Sequence, residues 1–338
     1  MYTKDTILDY INEIRNEINH DSVDIHIKEI ILKKNELWII GEDRVDKSAI
    51  IGKGGWVVGL LREKLSLDKI HVESYEDFIL KKYKLELSKN YLNNFINKTK
   101  LDNIPLNNLK DLLNNKLENI YTFNFKDYIN NNEFKEIKNS KVLVALSGGA
   151  DSSFSLILAK FLGFNPIAIS IDPGSIILPK HFKTNIDNLV NELNVPHTYL
   201  PINYDDIIEE SLNGKSHPCG KCSKTIESAV NSYAKENGIP LVIYGDLIST
   251  GSQSIKVDND LVRLNLPAIL LTQKHEIKSL IEDYNIEKID GFGCPLLYEV
   301  HKKYPHMKKF SIQRILRETR SSALESGEAL DLIWSFYK

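Results

Sequence analysis

The sequence is poor in cysteine, in net charge and in long apolar runs, and each shortage removes a class of protein. Its 338 residues include three cysteines, an odd number that argues against a disulfide framework. No apolar run approaches the ~20 residues a membrane-spanning helix needs, and the N-terminus shows no secretory pattern. The expectation is therefore a cytoplasmic protein with no membrane partner. A formal net charge of −3 gives no global pull toward nucleic acid, so such a partner must be met by local patches. A Walker A loop is excluded by spacing, because Gly214-Lys215-Ser216 lacks the upstream glycine, the place being held by Glu209. What is present fits a globular chain of two or three domains, with 42% hydrophobic and 26% charged residues.

The chain is organised around Lys141 to Ser153. Val142 to Leu146 is an apolar run without polar alternation, as expected of a strand buried on both faces of a parallel sheet. Ser147-Gly148-Gly149 turns the chain, and Phe154 to Phe161 reads as the helix that follows. Glycines let backbone N–H groups approach a ligand, and the helix points its positive end at the same place, which makes an anion cradle. Ser147, Ser152 and Ser153 add hydroxyl donors, while Asp151 can orient the loop or hold a cation.

The string Ser147-Gly148-Gly149-Ala150-Asp151-Ser152 resembles the PP-loop of the ATP pyrophosphatases. That resemblance implies a Rossmann-like parallel sheet of the adenine-nucleotide α-hydrolase type. It also implies ATP and Mg²⁺ at Ser147, Gly148, Gly149, Asp151, Ser152 and Ser153.

Upstream, Ile7, Leu8, Ile11, Ile14 and Ile18 recur at helical spacing. A strand ending near Leu32, a strand over Glu36 to Ile40, a short helix over Val45 to Ile50, a helix from Trp56 to about Ser66 and a strand around Ile70 and Val72 follow. Between the two later helices stands Gly52-Lys53-Gly54-Gly55, with Arg44, Lys47, Arg62 and Lys64 around it. This order, with Ile50-Ile51-Gly52-Lys53-Gly54-Gly55, resembles a type II KH domain, a small α+β fold. KH domains clamp about four nucleotides of single strand at this loop, so the resemblance implies RNA binding at Gly52, Lys53, Gly54 and Gly55. A glycine-rich helix–helix turn with solvated lysines is the plainer alternative.

The expected division is a KH-like domain over 1–75, a helical connector over 76–140 and the PP-loop domain over 141–338. The connector is rich in asparagine and lysine and is broken near Asn103 and Pro105. Beyond the PP-loop, strands over 167–171, 196–200 and 241–244 alternate with helices over 182–193 and 223–237, the pattern of βαβ units. Ligands sit at the carboxyl ends of such strands, where Asp172, Gly245 and Asp246 fall.

All three cysteines lie beyond the PP-loop, in Pro218-Cys219-Gly220-Lys221-Cys222 and Gly293-Cys294-Pro295. A CxxC lets two thiolates reach one centre. Structural burial, zinc with His217 or His301 as a fourth ligand, a redox pair carrying a persulfide, and an iron–sulfur cluster on three thiolates compete. A PP-loop followed by PCxxC and one later cysteine resembles the cluster-dependent tRNA thiolation enzymes. That likeness implies a [4Fe–4S] cluster on Cys219, Cys222 and Cys294. It also implies an adenylated base in tRNA, a sulfur donor such as sulfide or a persulfide carrier, and an acid near the nucleotide, for which Asp246 is the candidate. This chain lacks the flanking zinc-finger cysteines of some of those enzymes. His301 to Arg320 is basic, with Glu318 its one acid, and Arg314, Arg317 and Arg320 form a row suited either to RNA phosphates or to solvent. The expected function is an ATP-dependent tRNA sulfurtransferase, with a homodimer admitted. A PP-loop amine ligase and an ATP-sensing RNA-binding protein are the alternatives.

Overall fold

In a computed structural model, residues 2–248, 253–287 and 292–337 are described. The chain forms two compact units, one of residues up to Lys84 with Lys116–Phe123, the other of Leu85–Asn115 with Asn124–Lys338. Residues 76–140 are thus divided between the two.

The first unit opens with α1 (Lys4–Glu17), whose start is capped by the Thr3 hydroxyl accepting from the Thr6 amide. Ile7, Ile11 and Ile14 recur every three or four residues, so they share one helix face, and all three are buried. The hairpin β1 (Ile27–Lys33) and β2 (Glu36–Gly41) follows, then α2 (Arg44–Ile51), a tight turn over Lys53–Gly55, α3 (Trp56–Leu65) and β3 (Lys69–Ser74). Strand β2 pairs antiparallel with β1 and parallel with β3. The isoleucine face of α1, Ile50 of α2, and Val57 and Leu61 of α3 pack with Leu37 and Ile39 of β2 into one core. Each such side chain contributes roughly 1.5–3 kcal/mol by leaving water. The helix α4 (Tyr75–Ile96) follows, and Tyr121 meets Phe78 edge-on at 4.5 Å between ring centroids.

The helix α5 (Asn103–Glu118), in the second unit up to Asn115, carries Pro105 in its first turn, where its missing N–H costs no hydrogen bond. The short α6 (Phe125–Asn130) leads to β4 (Lys141–Ala145), α7 (Ala150–Phe161), β5 (Asn165–Asp172), α8 (Lys180–Glu192) and β6 (His197–Pro201). Next come α9 (Asp205–Leu212), α10 (Pro218–Glu236) and β7 (Leu241–Tyr244). The chain continues with β8 (Ile255–Asp258), β9 (Leu261–Asn265), α11 (Leu266–Ile269), α12 (Lys274–Ile281), α13 (Pro295–Lys303), α14 (Lys308–Arg320) and α15 (Ser326–Trp334).

The six strands lie in the order β6-β5-β4-β7-β9-β8, all parallel to their neighbours except the edge pair β8/β9. This is the Rossmann-like α/β sheet expected from the sequence. Val142, Leu143 and Val144 are at most 1% exposed because β4 lies inside the sheet with both faces covered. The chain runs from β4 outward through β5 to β6, and later returns to β4's other side as β7. The order therefore reverses between β4 and β7, and a crevice opens there at the carboxyl ends. The β8/β9 hairpin was not read from the sequence. Its signal is the Asn259-Asp260 turn, with Asn259 at φ 53°, between Ile255/Val257 and Leu261/Val262.

Candidate functional site

The loop between β4 and α7 lies at that crevice. Gly148 has φ +75°, and a Cβ there would stand 2.5 Å from the Phe182 carbonyl oxygen, so no other residue fits without a shift. The loop is braced from within. The Ser147 amide donates to Ser152 Oγ (3.1 Å), the two hydroxyls lie 3.0 Å apart, and Ser152 Oγ donates to the Gly149 carbonyl (3.0 Å). Gly149 caps α7 with no side chain, leaving the first N–H groups of that helix for a ligand. Ser153 is buried, and its hydroxyl has no hydrogen-bond partner among the described residues. Gly245, just past β7, packs directly on this turn. A Cβ there would lie 2.8 Å from both the Asp151 carbonyl carbon and the Ser152 nitrogen.

Each acid of the crevice holds a cation that sequence reasoning did not single out. Asp151 pairs through both oxygens, at 2.8 and 2.6 Å, with Lys274 at the start of α12, 123 residues away. Asp172 meets Lys183 of α8 at 2.5 Å and accepts from the Gly174 amide at 3.1 Å. The Lys183 hydrogen bond holds the Asp172 carboxyl below the usual carboxylate range. Asp246 pairs with Arg263 of β9, which also binds Glu227 of α10 at 2.6 Å and lies over the Tyr244 ring at 4.3 Å. No local pattern announces Lys274, Lys183 or Arg263, since each is one lysine or arginine among 43.

The Gly/Pro surroundings of the cysteines suit loops by sequence, but all three stand at helix starts. Cys219 and Cys222 sit in the opening turns of α10, and Cys294 is the N-cap of α13. The correction comes from proline: Pro218 and Pro295 each occupy the first helical position, where a preset φ starts a helix and the absent N–H is not missed. Cys219 and Cys222, three apart, share a face. The first turn of α13 is tied to the loop leaving β5 by the Leu296 amide donating to the Ile176 carbonyl at 3.0 Å, and Cys294, Ile176 and Ile177 all pack against the Leu296, Val300 and Met307 cluster.

All three thiols are half-buried, free and within electrostatic reach of one another. Burial, then the charges of Cys219 and Cys294, push the Cys222 thiol up to about 12. Burial likewise raises Cys219, while the positive charge of Arg314 pulls the other way. Burial keeps Cys219 and Cys222 protonated alone, and a cationic centre that joins them would make them thiolates. Among the described residues, no group of three or more His, Cys, Asp or Glu could hold a single metal ion. His217 and His301, the fourth ligands of a zinc reading, instead converge on Ser311, with Nε2 atoms 3.3 and 3.1 Å from its hydroxyl.

Arg314, Arg317 and Arg320 are all exposed on α14. Arg314 also lies 5.7 Å from the Phe292 ring centroid, and its charge reaches Cys219, which the row did not suggest.

In the first unit, Gly52, Gly54 and Gly55 all take positive φ, and the space around Gly55 is open. Lys53 is exposed, and Trp56, which opens α3, is 66% exposed. Trp56 is a stacking candidate that the glycine pattern did not bring forward. Two of the four cations around this loop are neutralised by its own unit: Arg44 binds Asp77 at 2.6 Å and Lys47 binds Glu73 at 2.8 Å. Lys64, a third, pairs with Glu13.

No protein-family model matches the chain. The tRNA-specific 2-thiouridylase MnmA of Persephonella marina is 25% identical over 43% of this chain, which spans about half (52%) of that enzyme's length. Among solved structures, the U34-tRNA thiolase NcsA from Methanococcus maripaludis with its [4Fe-4S] cluster aligns at a TM-score of 0.37. That alignment has 17% identity and covers 60% of this chain and 72% of that one. Protein MJ1638 of Methanocaldococcus jannaschii is 36% identical over 191 residues, 56% of this chain and 72% of the relative. With that identity over most of the relative's length, this chain belongs to the family of the Methanocaldococcus protein.

Proposed function

We propose that this chain is an ATP-dependent tRNA sulfurtransferase. One observation carries the reading: Cys219, Cys222 and Cys294 open two helices in the unit that holds the glycine loop, and the Leu296–Ile176 hydrogen bond ties one of those helices to the loop leaving β5. The similarity to an enzyme named as a tRNA 2-thiouridylase supports the same chemistry.

In this reading the phosphates of ATP lie on the N–H groups of Gly148, Gly149 and the first turn of α7, with the Ser147, Ser152 and Ser153 hydroxyls beside them. Asp172 and Gly245 border the nucleotide, and Asp246 takes Mg²⁺ or polarises the base. A carbonyl oxygen of the base attacks the α-phosphorus, the bond to the bridging oxygen breaks, and pyrophosphate leaves. Donors fixed before the reaction stabilise that charge without reorganising. Sulfide then adds to the activated carbon, the carbon–oxygen bond breaks, and AMP departs. A [4Fe–4S] cluster on Cys219, Cys222 and Cys294 would supply an iron without a protein ligand at which sulfide is held. Arg314 keeps positive charge at Cys219. In the first unit, Gly52, Lys53, Gly54 and Gly55 clamp the RNA in the manner of a KH domain; in the second, Arg317 and Arg320 take phosphates. The enzyme works in the cytoplasm with sulfide as its sulfur source, or with a persulfide carrier whose outer sulfur a thiol reductant releases as sulfide, the thiols leaving as a disulfide.

The test is anaerobic protein incubated with tRNA, Mg²⁺–ATP and sulfide, followed by nucleoside mass spectrometry and pyrophosphate release. A thiolated nucleoside and pyrophosphate are expected. Serine at any one of the three cysteines should stop thiolation and spare pyrophosphate release. Thiolation by all three serine variants, or release of orthophosphate instead, refutes the reading. Activity that consumes an amine rather than sulfide transfers the case to a ligase.

A further inference from the structure

Glu318 is the one acid in the basic stretch 301–320, and its side chain is 9% exposed. A carboxylate is kept out of water at a cost of several kcal/mol unless cations answer it, and two do. Arg314, one turn back on α14, lies 3.9 Å from it. Lys274 is brought to the same place by backbone: its amide donates to the Ala323 carbonyl at 2.8 Å, and the Ala323 amide donates to the carbonyl of Glu318 at 3.0 Å. Each cation has a second partner. Lys274 grips Asp151 of the nucleotide loop, and Arg314, 5.7 Å from the Phe292 ring centroid on a helix that meets His217 through Ser311 at 3.3 Å, brings its charge to Cys219. Burial raises the Glu318 carboxyl, Lys274 and Arg314 lower it, and Asp151 raises it again, so all four charges act on one another.

The string Asp151–Lys274–Glu318–Arg314–Cys219 therefore runs from the glycine loop to the cysteine site within one compact unit. We propose that Glu318 is a positioning residue that couples the two sites, holding Lys274 at the nucleotide loop and Arg314 over Cys219. The inference rests on the reading that this loop binds ATP and deepens it. A bound Mg²⁺–nucleotide competes for Asp151 and draws Lys274 toward its phosphates, which leaves more of the Glu318 charge to Arg314. By reciprocity, a change at Arg314 must alter nucleotide affinity.

The experiment is a double-mutant cycle on Mg²⁺–ATP affinity, measured by calorimetry on the full chain, with Glu318→Gln and Arg314→Met singly and together. The expected result is at least fivefold weaker binding for Glu318→Gln. Arg314→Met should weaken binding at least threefold in the wild-type background and not at all beside Glu318→Gln, because neighbours that share a partner are not additive. Alkylation of Cys219 by iodoacetamide, followed by mass spectrometry on cluster-free protein, should change severalfold on adding Mg²⁺–ATP to wild type and not to Glu318→Gln. A residue that only stabilises the fold would lower the melting temperature without moving these two readouts. Wild-type affinity in Glu318→Gln, or additive effects in the cycle, overturns the coupling while leaving ATP binding in place. Absence of Mg²⁺–ATP binding by wild type overturns the functional reading and the coupling with it. If Glu318→Gln does not fold, the exposed Arg314→Met decides alone, and unchanged ATP affinity there sinks the proposal.

Discussion

Gly245→Ala tests the crevice most directly. The new Cβ would meet the carbonyl carbon and oxygen of Asp151 at 2.8 and 2.9 Å and the Ser152 nitrogen at 2.8 Å. All three are backbone atoms at the start of α7, and that helix cannot slide away easily, because Phe154, Leu156, Ile157 and Leu158 anchor it in the core. Ordinary contact needs about 3.5 Å or more, so strand end and helix start must part by several tenths of an ångström. Overpacking of this kind costs roughly 1–3 kcal/mol, which for a unit of this size lowers the melting temperature by about 2–12 °C. The displaced atoms carry the N–H groups of the proposed phosphate cradle, so ATP affinity should fall on the order of tenfold, equivalent to about 1.4 kcal/mol. Gly149→Ala is the control for stability: its φ is −84°, and the nearest atom to a new Cβ is Ser147 Oγ at 3.5 Å. It should melt within about 0.5 kcal/mol of wild type, since alanine relieves unfolded-chain entropy but is the poorer N-cap. Differential scanning calorimetry and titration calorimetry read both quantities. A Gly245→Ala protein that melts within a degree of wild type and binds ATP equally well would refute the close-approach argument.

Two further outcomes concern a buried histidine and the glycine loop of the first unit. His301 is 5% exposed, and burial first, then His217 and Lys308, lower its imidazole to about 4. The unfolded chain, with a histidine near 6.5, binds the proton first, so stability is lost as pH falls from about 6.5 to 4, by roughly 3 kcal/mol, and is unaffected above that window. Urea midpoints across this range should show the loss in wild type and a flatter curve in His301→Asn, and identical slopes would contradict it. In the first unit, Gly54→Asp should fold, because a Cβ there meets only the Trp56 ring, at an ordinary contact distance of 3.4 Å, and aspartate tolerates φ +64°. The carboxylate should repel RNA phosphate, weaken tRNA binding several-fold and flatten its salt dependence in filter binding. Unchanged affinity would leave the loop a structural turn.

The residues that make local structure were legible in the chain itself. The apolar run Val142 to Leu146 reads as a central strand because both its faces are covered, and the isoleucines of α1 mark a buried helix face. Ser147 to Ser153 and Gly52 to Gly55 announce their turns because glycine alone takes those angles at no cost. Such features depend on neighbours a few residues apart, and spacing records them. Pairings across more than a hundred residues leave no spacing to read. The function of Gly245 is set by the start of α7, and that of Lys274 by Asp151. Arg314 reads as one more exposed cation until α14 brings it over Cys219. The cysteine spacing indicated a shared centre. That Pro218 and Pro295 would turn their loops into helix starts, and bring all three thiols within reach of one another, was decided by packing, because only the folded unit sets α10, α13 and α14 together.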